Sequence, residues 1–257
     1  METDSAAAPS LSDVRVARLR AASDFASSRW LQFDVTDQRP FSFHGGQYLI
    51  VDTGLVLSDG KPRRRAYSMV SHDVSTRHFE LGVFKLAGGL GCTLLNQLAL
   101  GAELRFSGPW GKLRAPTADA RGPIWIIATD SGASAALGLC RGQHFERHLR
   151  RTRLQVWTPA PHYFLDHAFI RGQAAACSDL EFRTLGPIGS DRRLAEIKAW
   201  TTQLLAQGLP EHVYLLGDGQ VTRPLLQLLT ARGIEPARIQ VETFFNHVER
   251  KPSTRAA

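Results

Sequence analysis

The feature that most constrains this 257-residue chain is a change of pattern near its middle. Before residues 114–122, short strand-like runs alternate with glycine and proline turns, which is typical of a closed or nearly closed antiparallel barrel. After them, apolar strands alternate with helical segments, which indicates a parallel α/β sheet. The sequence therefore predicts a β-barrel domain over 13–113 and an α/β domain over 123–245. Residues 1–12, 114–122 and 246–257 are predicted to be an N-terminal tail, a linker and a C-terminal tail.

Hydrophobic alternation places the individual elements of both domains. The first domain is predicted to have strands over 29–35, 45–52, 65–71, 78–86 and 103–111, with one helix over 92–100. The second is predicted to have strands over 124–128, 154–158, 180–185, 212–217 and 239–245. Its helices are predicted to begin near 131 and to cover 193–208 and 224–232.

The cysteine spacing and the net charge limit which classes of protein this chain can belong to. Cys92, Cys140 and Cys177 are far apart, which argues against a disulfide framework, a CxxC zinc site and an iron–sulfur cluster held by this chain alone. The chain begins without an apolar signal-peptide core, and its most apolar stretch, 124–140, is broken by polar residues, so we expect a cytoplasmic protein without a membrane span. The net charge of +7 comes from 26 Arg and 5 Lys against 24 acidic residues and permits acidic partners. No nucleic-acid-binding motif is present, and we expect no nucleic-acid partner.

Two short motifs in the first domain carry candidate binding chemistry. The run RAYS, residues 65–68, offers an Arg for a phosphate, a Tyr for a flat ring and a Ser for a ring nitrogen, although a polar strand edge is an alternative. The run GGLGCTLLNQL, residues 88–98, is a glycine-rich loop that opens a helix, an arrangement that suits an anion. Its alternative interpretation is a loop whose glycines only supply positive φ.

The order of these motifs resembles the ferredoxin–NADP reductase superfamily. RAYS, GVFK, the glycine-rich loop and SGPWG follow one another as in that family's FAD-binding barrel. IIATDSGASAALGL, VYLLGDGQVTRPLLQLL and the final VETFF follow as in its nucleotide domain, so the resemblance covers about Val14 to Phe245. It implies an antiparallel β-barrel FAD domain followed by a parallel-sheet, Rossmann-like nucleotide-binding domain.

The resemblance also implies roles for barrel residues around FAD. Arg65 and Ala66 would lie at the FAD phosphates, Tyr67 against the isoalloxazine or ribityl chain, and Ser68 at flavin N5. The ribityl–pyrophosphate region would be held by the remaining candidates, Val83, Lys85, Gly91, Cys92 and Thr93. Cys92 stands where the family usually has Ser.

In the second domain, the chain departs from the family at the positions that would bind NADPH or NADH. The candidates are Ser131, Gly132, Ser134, Gly217 and Asp218. Asp130 stands where the family has a glycine, Ala135 where it has a proline, and Leu216-Gly217-Asp218 where it has Cys-Gly-Pro. An ionised Asp130 or Asp218 would repel a dinucleotide pyrophosphate.

Further residues keep two interpretations. Phe244 would cover the flavin face by resemblance, or pack in the core. Glu242 would assist proton or hydride chemistry, or form a structural salt bridge. Arg171, Arg192 and Arg193 would serve a 2′-phosphate, or simply form a solvated surface, which is the interpretation we favour. His144 and His148 are four residues apart but lack a third ligand, so no metal site is predicted.

The resemblance implies hydride exchange between NAD(P)H and FAD, and single-electron transfer with an acidic ferredoxin or flavodoxin, or with an oxygenase component. The alternative is an FAD-binding electron-transfer or regulatory subunit with a degenerate NAD(P) site. A third possibility is an interaction module that has lost the flavin.

Overall fold

The computed structural model describes residues 13–56, 60, 62–75, 77–85, 90–177, 179–187 and 189–245. The predicted tails over 1–12 and 246–257 lie outside these residues, as do Gly88 and Gly89 of the glycine-rich loop. The strands of the first half are β1 (Arg15–Asp24), β2 (Ser28–Val35), β3 (Tyr48–Val56), β4 (Pro62–Ser68), β5 (His78–Phe84) and β6 (Glu103–Trp110). The strands of the second half are β7 (Ile124–Thr129), β8 (Thr152–Thr158), β9 (Asp179–Thr184), β10 (His212–Asp218) and β11 (Ile239–Phe245). The helices are α1 (Leu90–Gln97), α2 (Gly132–Cys140), α3 (His167–Gln173), α4 (Asp191–Leu205) and α5 (Gly219–Ala231), with short 3-10 helices at Glu146–Arg151 and Pro236–Arg238.

The first sheet has the strand order β4-β3-β6-β1-β2-β5, with antiparallel neighbours throughout. Its two ends meet where Met69, just after β4, forms an antiparallel bridge with Leu81 of β5. Alternate side chains point inward, as in β5, where Phe79, Leu81 and Val83 are buried in one core. The predicted barrel is therefore confirmed.

The second sheet is parallel and has the order β11-β10-β7-β8-β9. Every residue of β7 is buried, because a central parallel strand carries helices on both of its faces. The chain moves from β7 to β8 on one side and later returns to β10 on the other, so the strand order reverses between β7 and β10. In open α/β sheets, this switch point is where ligands bind, beyond the carboxyl ends of the strands.

Several element bounds differ from the sequence predictions. β1 was not predicted, because its buried positions include the charged Arg15 and the small Ala17, which weakens the hydrophobic alternation. α3 was not predicted either. β3 begins at Tyr48 rather than residue 45, because Gly45 and Gly46 form a turn. The helices α1, α4 and α5 each begin a few residues earlier than predicted, at Leu90, Asp191 and Gly219.

The two domains touch through backbone as well as side chains. A Cβ added at Gly138 of α2 would collide with the carbonyl oxygen of Met69, and one added at Gly45 would collide with that of Gly138. Nearby, Ser28 Oγ donates to the carbonyl of Phe164 at 2.8 Å, and Phe84 stacks on Phe164 with ring centroids 5.6 Å apart. The contact between the domains, called the seam below, is therefore closely packed around these residues.

The predicted linker is also packed. Pro116 and Ala120 are buried, and the hydroxyl of Tyr214 donates to the carbonyl of Arg114 at 2.7 Å. The domain bounds at 114–122 stay a prediction. Among the described residues, no helix has the length and apolar character needed to cross a membrane.

Candidate functional site

The predicted motif RAYS lies on β4, at the edge of the barrel where β4 pairs with β3. Arg65 is opposite Val51 and Tyr67 is opposite Leu49, so both lie on one face, as the alternation predicts. Tyr67 packs against the barrel core, whereas Arg65 and Ala66 are exposed. The Arg65 guanidinium donates to the neighbouring carbonyl of Arg64 at 3.1 Å. An exposed guanidinium at this edge fits a phosphate ligand.

Ser68 differs from its neighbours because its hydroxyl is buried and unpaired. The residue is 5% exposed, and Oγ has no hydrogen-bond partner. Tyr48 is directly opposite Ser68 across β3 and β4, so the two side chains share one face, with Cβ atoms about 5 Å apart. A buried hydroxyl without a partner carries an unfavourable desolvation cost, and such a group in a folded protein points to a ligand or a catalytic role.

Glu242, on β11, also carries an unpaired buried oxygen. Its Oε2 has no hydrogen-bond partner, and burial raises the pKa of this carboxyl to about 7. The pKa of Tyr48 is raised as well, mainly by burial and further by the Glu242 charge. Tyr48 is therefore the strand partner of Ser68 in the barrel and also a group on which the charge of Glu242 acts. No ion pair to Glu242 was found among the described residues, which favours its chemical over its structural interpretation.

Phe244 follows two residues after Glu242 and is half-buried against the core beneath α2. Its placement agrees with the core-packing interpretation, and its role at a flavin face stays a prediction.

The glycine-rich loop leads into α1, which begins at Leu90 and contains Gly91, Cys92 and Thr93 in its first turns. Only the backbone placement of Gly91 and Cys92 belongs to the described structure. Thr93 is exposed. These residues begin a helix, as predicted, and their contact with a pyrophosphate stays a prediction.

Two of the predicted ribityl–pyrophosphate residues are engaged elsewhere. The Val83 side chain is fully buried in the barrel core, so only its backbone is available to a ligand. Lys85 Nζ donates to the carbonyl of Phe25 at 2.8 Å and forms an ion pair with Asp24 at 2.9 Å. A binding role for the Lys85 ammonium would require it to leave these partners.

The switch point of the second sheet holds three buried charged side chains, which we call the triad: Asp130, Arg193 and Asp218. Arg193 is 1% exposed, and its Nε donates to Asp218 Oδ2 at 3.0 Å, while Nη2 donates to Asp130 Oδ2. Its Nη1 donates to the carbonyl of Gly186 at 3.0 Å. Burial lowers the pKa of Arg193, and the Asp218 charge opposes that shift. The triad therefore sets two acidic side chains against a single guanidinium.

Local backbone geometry fixes both aspartates. Asp130 follows β7 with a φ of 54°, in the left-handed region that Asp tolerates better than most residues. Asp218 ends β10 and caps α5, since its Oδ1 accepts from the Gln220 backbone N–H at 2.9 Å. Its own N–H donates to Thr129 Oγ1 at 2.9 Å.

The remaining nucleotide candidates are mostly buried. Gly132, Ser134 and Gly217 are buried, and only Ser131 is partly exposed. A Cβ at Gly132 would collide with the carbonyl of Leu216, and one at Gly217 with that of Thr129. The start of α2 therefore packs on the backbone of β10, and the last residues of β7 and β10 pack backbone against backbone.

The three candidate arginines for a 2′-phosphate behave differently. The solvated-surface interpretation is wrong for Arg193, because it is held between the two aspartates. Arg192 is 79% exposed and paired with Glu196. Arg171 lies over the ring of Phe182 at 5.2 Å.

Metal binding finds no support in the described residues, where no group of three His, Cys, Asp or Glu is placed to hold an ion. His148 is buried and bonds through Nε2 to the carbonyl of Pro116 at 3.2 Å, so it cannot join His144 in a surface site.

Sequence reasoning missed Tyr48 and gave Arg193 another role, at a 2′-phosphate or on a solvated surface. Tyr48 carried no signal of its own, because its importance comes from the β3–β4 register and the approach of β11. Arg193 had one available signal, namely the appearance of two aspartates at two turns that face each other across the switch point.

Comparisons with known proteins agree with this architecture. Residues 20–114 match the family model described as "Oxidoreductase FAD-binding domain". The ferredoxin–NADP reductase B of Sorangium cellulosum is 34% identical over 130 residues, covering 50% of this chain and 50% of the relative. A ferredoxin–NAD(P)(+) reductase component of naphthalene 1,2-dioxygenase/salicylate 5-hydroxylase systems in Ralstonia is 26% identical over 219 residues, covering 80% and 62%. The chain thus spans between half and two thirds of the length of these relatives.

Solved structures resemble the whole described fold. The cytochrome P450 reductase GcoB of Amycolatopsis superimposes with a TM-score of 0.70 at 22% identity, over 90% of this chain and 70% of that one. A ferredoxin reductase in carbazole 1,9a-dioxygenase gives a TM-score of 0.69 at 17% identity, over 91% and 70%. The barrel half of the chain thus matches an FAD-binding oxidoreductase domain, and the two-domain fold resembles that of these reductases.

Proposed function

We propose that this chain is an FAD-dependent oxidoreductase that exchanges electrons with a separate redox protein. The observation that carries the proposal is that Ser68 Oγ and Glu242 Oε2 are both buried without a hydrogen-bond partner, while Tyr48 pairs with Ser68 and feels the charge of Glu242. Each lacks a hydrogen bond that a heteroaromatic ligand at the seam would supply. The match of residues 20–114 to an FAD-binding domain supports FAD as that ligand.

The residues present fit FAD. Ser68 would donate to a flavin ring nitrogen, Tyr67 and Tyr48 would border the ring system, and Arg65 would bind a phosphate through its exposed guanidinium. The N-terminal turns of α1, with Gly91, Cys92 and Thr93, would approach the pyrophosphate. Bound FAD supplies redox chemistry that couples two-electron and one-electron carriers.

Glu242 would hold a proton beside the flavin site. Because burial raises its pKa to about 7, Oε2 exchanges its proton near neutral pH, where an ordinary glutamate is fully ionised. The phenol of Tyr48 is the barrel group on which the charge of Glu242 acts, and Ser68 lies opposite Tyr48 across the β3–β4 pairing.

The partner would be an acidic redox protein, such as a ferredoxin or flavodoxin, or an oxygenase component. The net charge of +7 would attract such a protein and orient its approach. The reductases among the relatives act with ferredoxin, according to their names. A cytoplasmic location stays part of this proposal.

NADPH or NADH is the donor that the family resemblance implies, but the second domain does not fit it. The triad and the closely packed loops stand at the switch point where a dinucleotide would bind, so we derive no step through it. This geometry favours the alternative of an electron-transfer flavoprotein with a degenerate nucleotide site.

The first experiment is to measure FAD binding by the purified chain. We expect one FAD per chain, and Ser68→Ala should weaken FAD binding about 5-fold, the effect of one lost hydrogen bond. Ser71→Ala is the matched control, because Ser71 is equally buried but its Oγ already accepts from the Glu80 backbone N–H at 3.2 Å. A chain that is colourless once unbound FAD has been removed would overturn the proposal.

The second experiment tests the partner. An anaerobically reduced ferredoxin should reduce the bound flavin, and the rate should fall as salt is added, because screening weakens attraction between exposed charges. A rate that does not change with salt would show that the basic surface does not steer the partner.

A further inference from the structure

The position of the triad matters because of the strand order. The switch point lies between β7 and β10, and a dinucleotide pyrophosphate in this type of fold lies beyond the carboxyl ends of these strands, at the start of the following helices. Asp130 directly follows β7, and Asp218 is the last residue of β10. Two carboxylates therefore flank the place where the pyrophosphate would bind.

Arg193 does not offset these carboxylates for a ligand, because each of its three nitrogens already donates a hydrogen bond within the protein. Nε, Nη1 and Nη2 donate to Asp218, Gly186 and Asp130 respectively. The side chain is 99% buried, so an incoming phosphate would have to displace one of the aspartates to reach it. That displaced carboxylate would then be left buried without its partner, which is strongly unfavourable.

The backbone leaves little alternative space. In the nucleotide-binding form of this turn, glycines let the pyrophosphate approach the helix N-terminus. Here Gly132, at the start of α2, packs on the Leu216 carbonyl of β10, and Gly217 of β10 packs on the Thr129 carbonyl of β7. The first turn of α2 is buried apart from the partly exposed Ser131.

We propose that the Asp130–Arg193–Asp218 triad replaces a bound dinucleotide at the switch point, so that this chain exchanges electrons only with protein partners and does not use NAD(P)H. The triad links the ends of β7 and β10 to α4 by internal ion pairs, and it places two acidic side chains and an already engaged guanidinium where a pyrophosphate would need free positive charge. This inference rests on the proposed flavin function and narrows its donors to one-electron redox proteins.

The test measures binding of NADP⁺ and NAD⁺ to the FAD-loaded protein by isothermal titration calorimetry. We expect no saturable binding to the wild-type chain up to millimolar nucleotide. We also expect the flavin to stay oxidised in anaerobic NADPH or NADH while reduced ferredoxin bleaches it. Saturable binding of either nucleotide in the micromolar range would overturn the inference.

The Asp130→Gly/Asp218→Asn double variant tests the cause of the exclusion. Glycine suits the positive φ at position 130, and asparagine caps a helix as well as aspartate does, so both changes keep the local backbone. Arg193 is then left without a carboxylate partner and free to bind a phosphate. We expect the double variant to bind NADP⁺ at least about 10-fold more tightly than the wild type. Two carboxylates that would repel the pyrophosphate are gone, and the guanidinium of Arg193 can bind a phosphate instead.

A matched control is Asp191→Asn, which removes an exposed carboxylate from the start of α4 without touching the triad. It should leave nucleotide binding unchanged. A folded, FAD-loaded double variant with no gain would show that the triad is not what excludes the nucleotide, and would overturn the inference. If the double variant does not fold, the wild-type titration still decides. Failure of the flavin proposal is distinguishable, because it would appear as a colourless protein before any nucleotide is added.

Discussion

Tyr48 and Ser68 lie directly opposite one another across the β3–β4 pairing, at the edge of the barrel that meets the α/β domain. The hydroxyl of Ser68 is buried there without a hydrogen-bond partner. The pKa of Tyr48 is raised by its burial and by the nearby Glu242. The barrel thus contributes two facing polar residues here, and the charge of Glu242 from the α/β domain acts on one of them.

Ser68→Ala should not destabilise the flavin-free protein. An unpaired buried hydroxyl costs its desolvation energy, so its removal should leave the free energy of unfolding unchanged or raise it by up to about 1 kcal/mol. Ser71→Ala should lower it by about 1 kcal/mol, because the Glu80 N–H loses its acceptor. Urea unfolding of both variants measures this difference. Equal losses would mean that Ser68 has a partner within the fold.

Glu242→Gln should change how stability depends on pH. The pKa of this carboxyl is about 7 in the folded protein against 4.5 as its ordinary value, so the folded state binds the proton more tightly. The free energy of unfolding therefore falls as pH rises through this window and levels off above it. The contribution is on the order of 3 kcal/mol and should disappear in the variant.

The measurement is the difference in unfolding free energy between wild type and Glu242→Gln on either side of that window. The difference should move in favour of the variant as pH rises, because only the wild type loses a proton from a buried group. A constant difference across the window would show that Glu242 titrates at its ordinary pKa.

Arg193→Met should strongly destabilise the chain. It leaves Asp130 and Asp218 buried without their cation, and breaking a buried ion pair in this way costs about 3–5 kcal/mol. The neighbouring Arg192→Ala is the control, since Arg192 is 79% exposed and its pair with Glu196 contributes at most about 0.5 kcal/mol. Denaturant unfolding followed by tryptophan fluorescence measures both. Similar effects at both positions would contradict the buried triad.

The architecture could be predicted from the sequence because it depends on local alternation. β5 shows strict inward–outward alternation, and β7 is apolar at nearly every position, so each identifies its own kind of sheet. β1 was harder to predict from the sequence, because Ala and Arg have weak strand propensity. Its pairing with β2 and β6 is what stabilises this segment as a strand.

The candidate site could be predicted only in part. The residues of RAYS are adjacent in the chain, so their shared location required no knowledge of the fold. In the triad, Arg193 is 63 positions from Asp130 and 25 positions from Asp218 along the chain, and no local pattern shows that these residues meet. The sequence showed that Asp130 and Asp218 were unusual, but the burial of Arg193 depends on how α4 packs over the switch point.

The last prediction concerns Gly138, where the two domains approach most closely. A methyl group there would collide with the carbonyl of Met69, which directly follows Ser68, and neither backbone can move without disturbing the seam. Gly138→Ala should therefore lower the free energy of unfolding by about 1–3 kcal/mol, despite the better helix propensity of alanine. It should also weaken FAD binding, because Ser68 and Glu242 belong to opposite sides of the seam. Gly172→Ala in α3 is the matched control, since nothing lies within 4 Å of its added Cβ, and helix propensity alone should stabilise it by up to about 1 kcal/mol. If Gly138→Ala were as stable as this control and kept its FAD affinity, the close backbone contact would not be what aligns the two halves of the site.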